Sequence, residues 1–288
     1  MQITHNQHTV PKVYLKTFGK NLYVYNKENG ITFKRDIKKL SVKTDYYEHP
    51  SKNINDTEIL LSKYENEWGL NGPEIIRKLK NRCKISIEDK NILSNLIAHL
   101  LFRTPSVYTD VVHVSNLLED FFENNPVTEK LKKDIKNVDN KKIFISNIEN
   151  ILADPKKLIE EFYFIYWINN NSMHKFFTSD VPIISYNDSF PLMGHQKFLC
   201  LTPDICIQLI YKNSFPEEYS KIDGTIKHIK YSTIVYINHL TIKNSFYEIY
   251  FSNKRQKKFI EKVKSIYPND LKINDKRTEL HNAGKIYK

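Results

Sequence analysis

Three ionisable side chains, each within three residues of a proline, are the groups in this chain best suited to chemistry: His8, Arg103 and Asp180. A histidine titrates near neutral pH and can move a proton. An arginine presents a planar fork of donors that can hold a phosphate through two hydrogen bonds. A carboxylate can orient the histidine or act as a base. Together they predict phosphodiester cleavage, with His8 as acid and base, Arg103 as phosphate clamp and Asp180 as orienter.

Neighbouring polar residues are expected to support these groups. Tyr14 and Ser179 flank the first and third sites along the chain, and Thr104 follows Arg103. His99 lies four residues before Arg103, so both side chains leave the same face of a helix. We therefore expect these four residues to bind substrate or to hold the reacting groups in place.

Two glutamates suggest an alternative, metal-dependent chemistry. Glu58 and Glu65 are seven residues apart and fall close to one helical face, where carboxylates can share a cation. If the reaction uses Mg²⁺ or Mn²⁺, the expected ligands are Asp180, Glu58 and His8. The competing interpretation pairs these glutamates with surface lysines such as Lys63.

Each of the three main sites also has a structural interpretation. His8 could be hydrogen-bonded in a turn, and His99, within an apolar run, could be a core histidine. Arg103 could satisfy the last carbonyls of a helix. Asp180 could close a turn onto its own backbone. The sequence leaves these alternatives open.

Composition narrows the class of protein. The chain has 288 residues, a formal net charge of +11 and only 7 glycines. The charge favours polyanions such as nucleic acid, although AT-rich coding sequence would also give a lysine-rich chain. The three cysteines form no CxxC pair, and no stretch approaches the roughly 18 apolar residues of a membrane span. These features predict a cytoplasmic protein that does not enter the membrane. They leave open a protein partner and the oligomeric state.

The periodicity of apolar residues predicts an α+β fold. Alternating residues around Asn29-Gly30 indicate an N-terminal β-hairpin. Helical spacing then dominates residues 56–160, with Asp56 as an N-cap, a separate helix from Pro73 to Asn81, and a capping box at Ser86. Residues 161–252 are β-rich and predict a mostly antiparallel sheet.

Details of the second half follow from shorter patterns. Residues 162–168 predict a strand that pairs with a return strand over 175–178, and residues 232–240 suit either a strand or a helix. A short strand is expected over 43–47. We expect one α+β domain over residues 1–268 and a polar, frayed tail over 269–288.

The ordered set of motifs resembles the domain-of-unknown-function 4238 family over about residues 5–252. The motifs are His8-x-Val10-Pro11-x-x-Tyr14-Leu15-x-x-Phe18, the hairpin at Tyr23-Val24-Tyr25-Asn26-Lys27, Glu58 with Glu65, Arg103-Thr104-Pro105, Phe177-Thr178-Ser179-Asp180-x-Pro182 and Leu201-Thr202-Pro203. Gln7 stands where members often carry a second histidine. The resemblance implies a bacterial cytosolic protein and supplies no reaction.

The residues and the charge together favour a nuclease that acts in phage defence or as a toxin. The alternative is a non-catalytic sensor or binding module for a phage protein or an anionic ligand. In a third interpretation the motifs define turns of the fold, and specificity lies in a variable loop over residues 187–196.

Overall fold

The computed structural model describes residues 5–51, 53, 55–123, 129–153, 157–186, 196–214 and 217–273. The predicted loop over 187–196 lies outside these ranges except for its last residue. The predicted polar tail lies outside them from residue 274 onward. Residues 269–271, the first part of the predicted tail, belong to a short 3-10 helix over Pro268–Leu271.

Residues 6–44 form short strands around one turn of helix. They are β1 (Asn6–His8), α1 (Lys12–Leu15), β2 (Asn21–Asn26), β3 (Thr32–Asp36) and β4 (Val42–Thr44). The hairpin is confirmed: β2 pairs antiparallel with β3 around Gly30, whose φ of 68° suits a residue without a Cβ atom. The strand predicted over 43–47 is shorter than expected, and it pairs with β1, which the alternation did not predict.

Helices dominate the middle of the chain, as predicted. They are α2 (Asp56–Lys80), α3 (Ile87–Phe102), α4 (Pro105–Glu123), α5 (Glu129–Lys136), α6 (Asn140–Ala153) and α7 (Lys157–Glu161). The capping box at the start of α3 is confirmed, because Ser86 and Asp89 exchange side-chain and backbone hydrogen bonds. Within the described ranges, no helix combines the length and apolar character that crossing a bilayer requires.

The last part of the chain alternates strands and helices. It contains β5 (Phe162–Ile168), β6 (Thr178–Ser179), β7 (Ile183–Tyr186), β8 (Gln196–Thr202), β9 (Ile205–Tyr211), β10 (Ile226–His228), α8 (Tyr231–Asn244), β11 (Glu248–Phe251) and α9 (Lys257–Ile266). The sheet orders are β10-β5-β9-β8-β7 and β3-β2-β11-β6, with β1 and β4 as a separate pair. Apart from the parallel β10–β5 pair the strands run antiparallel, so the predicted α+β class is confirmed.

The predicted break in the first long helix is wrong. Pro73 lies inside α2, which runs without interruption to Lys80. Gly72 explains part of this continuity, because a Cβ atom there would lie 2.6 Å from the Trp68 ring. Packing of the tryptophan across the glycine therefore supports a helix that a proline alone would weaken. Nor is Asp56 the N-cap, since the helix follows Asn55 in a left-handed conformation.

The predicted return strand over 175–178 is also wrong. Strand β5 pairs with β9 and β10 instead, and only Thr178–Ser179 forms a strand, against β11. Asn238 of α8 explains the difference. Its side chain accepts from the backbone amide of Phe177 and donates to the carbonyl of Lys175. A helical side chain thus satisfies backbone groups that a sheet would otherwise take up, and the ambiguous segment 232–240 lies within that helix.

Three apolar clusters hold the elements together. The largest joins the five-stranded sheet to α1, α2 and α3, and a second lies between the four-stranded sheet and α9. The third contains Tyr47, Leu61, Ala98 and Phe144 and connects α2, α3 and α6. This third cluster fixes the aromatic residues that surround the site described next.

Candidate functional site

Arg103 is the centre of a buried polar cluster. The residue terminates α3, and its side chain is 0% exposed. The guanidinium contacts Tyr47 Oη (2.9 Å), Glu65 Oε1 (2.7 Å), His99 Nε2 (2.5 Å) and the backbone carbonyl of His8. Three of the four segments predicted from the sequence therefore meet at one residue.

The electrostatics of the cluster keep Arg103 charged. Burial opposes the charge, but Tyr47 and Glu65 outweigh it and raise the arginine pKa above its ordinary value. Burial, reinforced by Arg103, holds the pKa of His99 well below its usual value. His99 is therefore neutral at pH 7, and its Nε2 atom accepts a hydrogen bond from the guanidinium. Burial also raises the pKa of Tyr47 to about 12, so this tyrosine keeps its proton.

Two polar atoms beside this cluster lack partners among the described residues. They are Glu58 Oε2 and the hydroxyl oxygen of Tyr46, and both are buried. Burial raises the pKa of Glu58, and Arg103 opposes that rise. A buried carboxylate without hydrogen-bond partners raises the free energy of the folded protein. The protonated form of Glu58 is therefore favoured as the pH falls. Burial thus shifts the Glu58 carboxyl group toward its protonated form.

Solvent reaches His8, which is half-buried. Its Nδ1 atom lies 3.0 Å from the carbonyl oxygen of Leu40. A carbonyl only accepts, so Nδ1 must donate, and Nε2 carries the lone pair. Burial lowers the pKa of His8. The imidazole is therefore neutral near pH 7 and has a base-competent nitrogen.

Gln7 and Tyr47 contribute to the site without having been predicted. The fully buried Gln7 side chain donates to Glu48 Oε1 (2.8 Å) and accepts from the backbone amide of Tyr47 (2.6 Å). It ties β1 to the segment that follows β4. The paired tyrosines at positions 46 and 47 were the available signal. The partners of Tyr47, Gln7 and Arg103, lie 40 and 56 residues away in sequence, which no local pattern reveals.

Asp180 lies apart from His8 and does not orient it. Its carboxylate accepts from the backbone amides of Phe246 (2.9 Å), Tyr247 (2.6 Å) and Glu248 (3.2 Å). Burial raises its pKa to about 6, against the opposing effect of these amides. The expected orienting role is corrected: Leu40 holds the His8 ring, and Asp180 fixes the start of β11.

The remaining expected site residues hold the backbone. Tyr14 Oη lies 2.8 Å from Thr178 Oγ1 and donates to the carbonyl of Cys200 (2.7 Å). Ser179 closes a turn by donating to the carbonyl of Val181 (2.8 Å). The hydroxyl of Thr104 bonds that of Ser106, two residues on, at 2.9 Å. Among the hydrogen bonds of the described residues, none of these three side chains reaches His8 or Arg103.

The metal ligands expected from the sequence do not assemble. Asp180 is bonded to the 246–248 backbone, whereas Glu58 and His8 belong to the neighbourhood of Arg103. Across the parts of the chain that the structure describes, no three His, Cys, Asp or Glu residues are arranged to hold a metal ion. The predicted Asp180, Glu58 and His8 set therefore does not fit Mg²⁺ or Mn²⁺.

An open cleft of about 340 Å³ lies beside the cluster. Thr9 and Pro105 line it, each close in sequence to a residue of the Arg103 cluster. The rest of the lining is strongly polar. It includes the cations Arg35, Lys39 and Lys43, the hydroxyls of Ser41 and Tyr250, and the acids Glu28, Asp180 and Glu248.

Residues 6–255 match the model of a protein family described as a protein of unknown function, DUF4238. The chain belongs to the DUF4238 family. No curated protein and no solved structure matches it. The DUF4238 resemblance predicted from the motifs is confirmed.

The fold explains why this DUF4238 chain carries its N-terminal motif. Val10, Tyr14, Leu15 and Phe18 are all buried, so the apolar positions of the motif anchor α1 to the main core. The polar position, His8, lies at the edge of that anchor. The motif therefore combines packing residues with one solvent-accessible, ionisable group.

Proposed function

We propose that this protein is a nucleic-acid phosphodiesterase that uses His8 as its base. The observation that supports the proposal most directly is the state of the His8 ring. One nitrogen is fixed by the Leu40 carbonyl, and the other keeps its lone pair on a half-buried side chain. A base held in one tautomer near neutral pH is what proton transfer requires.

RNA is the substrate class that suits this chemistry. The 2′-hydroxyl of RNA is an internal nucleophile, which DNA lacks. His8 Nε2 takes the hydroxyl proton, the oxygen attacks the phosphorus, and the bond from phosphorus to the 5′-oxygen breaks. Glu58, whose pKa is raised by burial, gives its proton to the departing oxygen. The net charge of +11 attracts the polyanion.

Arg103 supports this reaction indirectly, by holding other residues of the site in position. Its guanidinium is buried and contacts protein acceptors, so in this conformation it is a positioning residue and not the phosphate clamp expected from the sequence. It holds the His8 backbone and neutralises Glu65. The proposal includes a cytoplasmic location, where RNA is abundant, and a role as a toxin or in defence against phage.

The test is cleavage of labelled RNA and of single- and double-stranded DNA by purified protein. Wild type is compared with His8→Gln and Glu58→Gln, and with His113→Gln as a control on the exposed face of α4. Each reaction is run with a chelator and with added Mg²⁺ or Mn²⁺. We expect RNA cleavage that survives the chelator, persists in the control and is lost in His8→Gln. Equal cleavage by His8→Gln would contradict the proposal.

The second candidate is a binding protein that does not cleave. Arg103 and Asp180 are both hydrogen-bonded to other groups of this chain, so neither side chain is available to a substrate. This observation favours the second candidate. The same samples decide between the two candidates. RNA binding by folded wild-type protein without any cleavage would favour the binding protein.

A further inference from the structure

The cleft beside the cluster has one basic wall. Arg35 and Lys39 line it, are exposed, and form no salt bridge with any residue in the described ranges. The Arg35 guanidinium lies over the Phe33 ring, 4.6 Å from its centre, in a cation–π contact. Neither cation has an ion-pair partner within those ranges, so both are available to attract an anion to the edge of the cleft.

A second, acidic wall comes mainly from β11, which β2 separates from the Arg35 strand β3, and hydrogen bonds hold it in place. Tyr250 donates to Glu248 (2.8 Å), and its hydroxyl also lies 2.7 Å from that of Ser41. Asp180 is fixed by three backbone amides. Carboxylates accept hydrogen bonds and repel phosphate. This wall therefore selects N–H and O–H donors and excludes a second anion.

We propose that the cleft binds one nucleotide unit of a single-stranded nucleic acid. The phosphate lies against Arg35 and Lys39, and the base or sugar donors face Glu248. A volume of about 340 Å³ is enough to hold one such unit. The inference rests on the proposed function for the identity of the ligand, and it adds the place where the strand lies.

The experiment measures binding of a short, fluorescently labelled single-stranded RNA by anisotropy at several salt concentrations. The cleft variant is Arg35→Gln with Lys39→Gln. The matched control is Lys227→Gln with Lys230→Gln, which removes the same charge from exposed positions at and just beyond β10, the edge strand of the other sheet. We expect the cleft variant to bind about tenfold more weakly and to lower the salt slope by about 0.7, the value for one neutralised phosphate of a single strand.

Competition identifies the ligand class. A mononucleotide should displace the labelled RNA at lower concentration than inorganic phosphate does, because only the nucleotide supplies donors to the acidic wall. Equal competition by the two would overturn the nucleotide part of the proposal. Equal weakening by the cleft variant and the control, or no weakening by either, would overturn the cleft as the site.

The two proposals fail in different ways. Binding of RNA by the wild type without any cleavage refutes the phosphodiesterase and leaves the cleft standing. Cleavage by a cleft variant with unchanged affinity refutes the cleft and leaves the phosphodiesterase standing. Wild-type protein that binds no RNA even at low salt would refute the cleft proposal outright.

Discussion

Replacing Arg103 by methionine should destabilise the protein substantially. The side chain is 0% exposed, and its partner Glu65 is 21% exposed. Removing one member of a buried ion pair generally costs about 3–5 kcal/mol, because the other charge stays buried without a partner. Glu65 reaches water in part, which moves its share toward the low end of that range. The lost contacts to Tyr47 and the His8 carbonyl add to it, so we expect about 4 kcal/mol.

Urea denaturation of four proteins tests this reasoning: wild type, Arg103→Met, Glu65→Gln and the double variant. The double variant should lose less stability than the sum of the two single variants, by about 1–3 kcal/mol, since the second change removes a charge that the first left unpaired. A loss below about 1 kcal/mol for Arg103→Met would refute the central role of the ion pair. Strict additivity would show that the two charges do not depend on each other.

Three further perturbations test separate features. Burial lowers the pKa of His99, so below about pH 6.5 the unfolded chain binds a proton there and the folded chain does not. The free energy of unfolding therefore decreases as the pH falls. In His99→Gln the slope of this free energy against pH should be shallower by about 1.4 kcal/mol per pH unit. Asp180→Asn should speed hydrogen exchange at the amides of residues 246–248 by roughly tenfold or more, as read by mass spectrometry, and unchanged exchange there would contradict the capping role. On α2, Gly72→Ala should lower the denaturation midpoint, because the new Cβ atom would lie 2.6 Å from a tryptophan ring. In the control, Gly69→Ala, the nearest neighbour of the new Cβ atom would be 3.9 Å away. That variant should therefore gain about 1 kcal/mol of stability. A rise in stability in both glycine variants would show that helix propensity, and not packing, decides.

Features of the fold that depend on neighbouring residues were predictable. The capping box at Ser86 and the hairpin around Gly30 are determined within a few residues, and both are confirmed. The continuity of α2 past Pro73 was not predictable, because it depends on how a tryptophan packs across a glycine. The failed strand over 175–178 likewise depends on Asn238, about 60 residues away.

The candidate site likewise has features that the sequence predicts and features that it does not. The sequence identified His8, Glu58, Glu65, His99 and Arg103 from their types and spacing, and the structure brings them to one neighbourhood. It did not reveal that Arg103 faces inward, or that backbone amides occupy Asp180. Direction and partner are tertiary properties, since an arginine at a helix end can turn toward solvent or toward the core with the same local sequence.

The four-stranded sheet has a consequence for how the protein is made. Its central pairing joins β2 to β11, so about 220 residues separate the two strands along the chain. At ordinary synthesis rates of 5–20 residues per second, β2 waits roughly 10–45 s for its partner. During that time β2 has an open edge, and Asp180 has no amides from residues 246–248 to bind. The cleft, whose lining includes Tyr247, Glu248 and Tyr250, therefore forms only after the chain has been synthesised past residue 250.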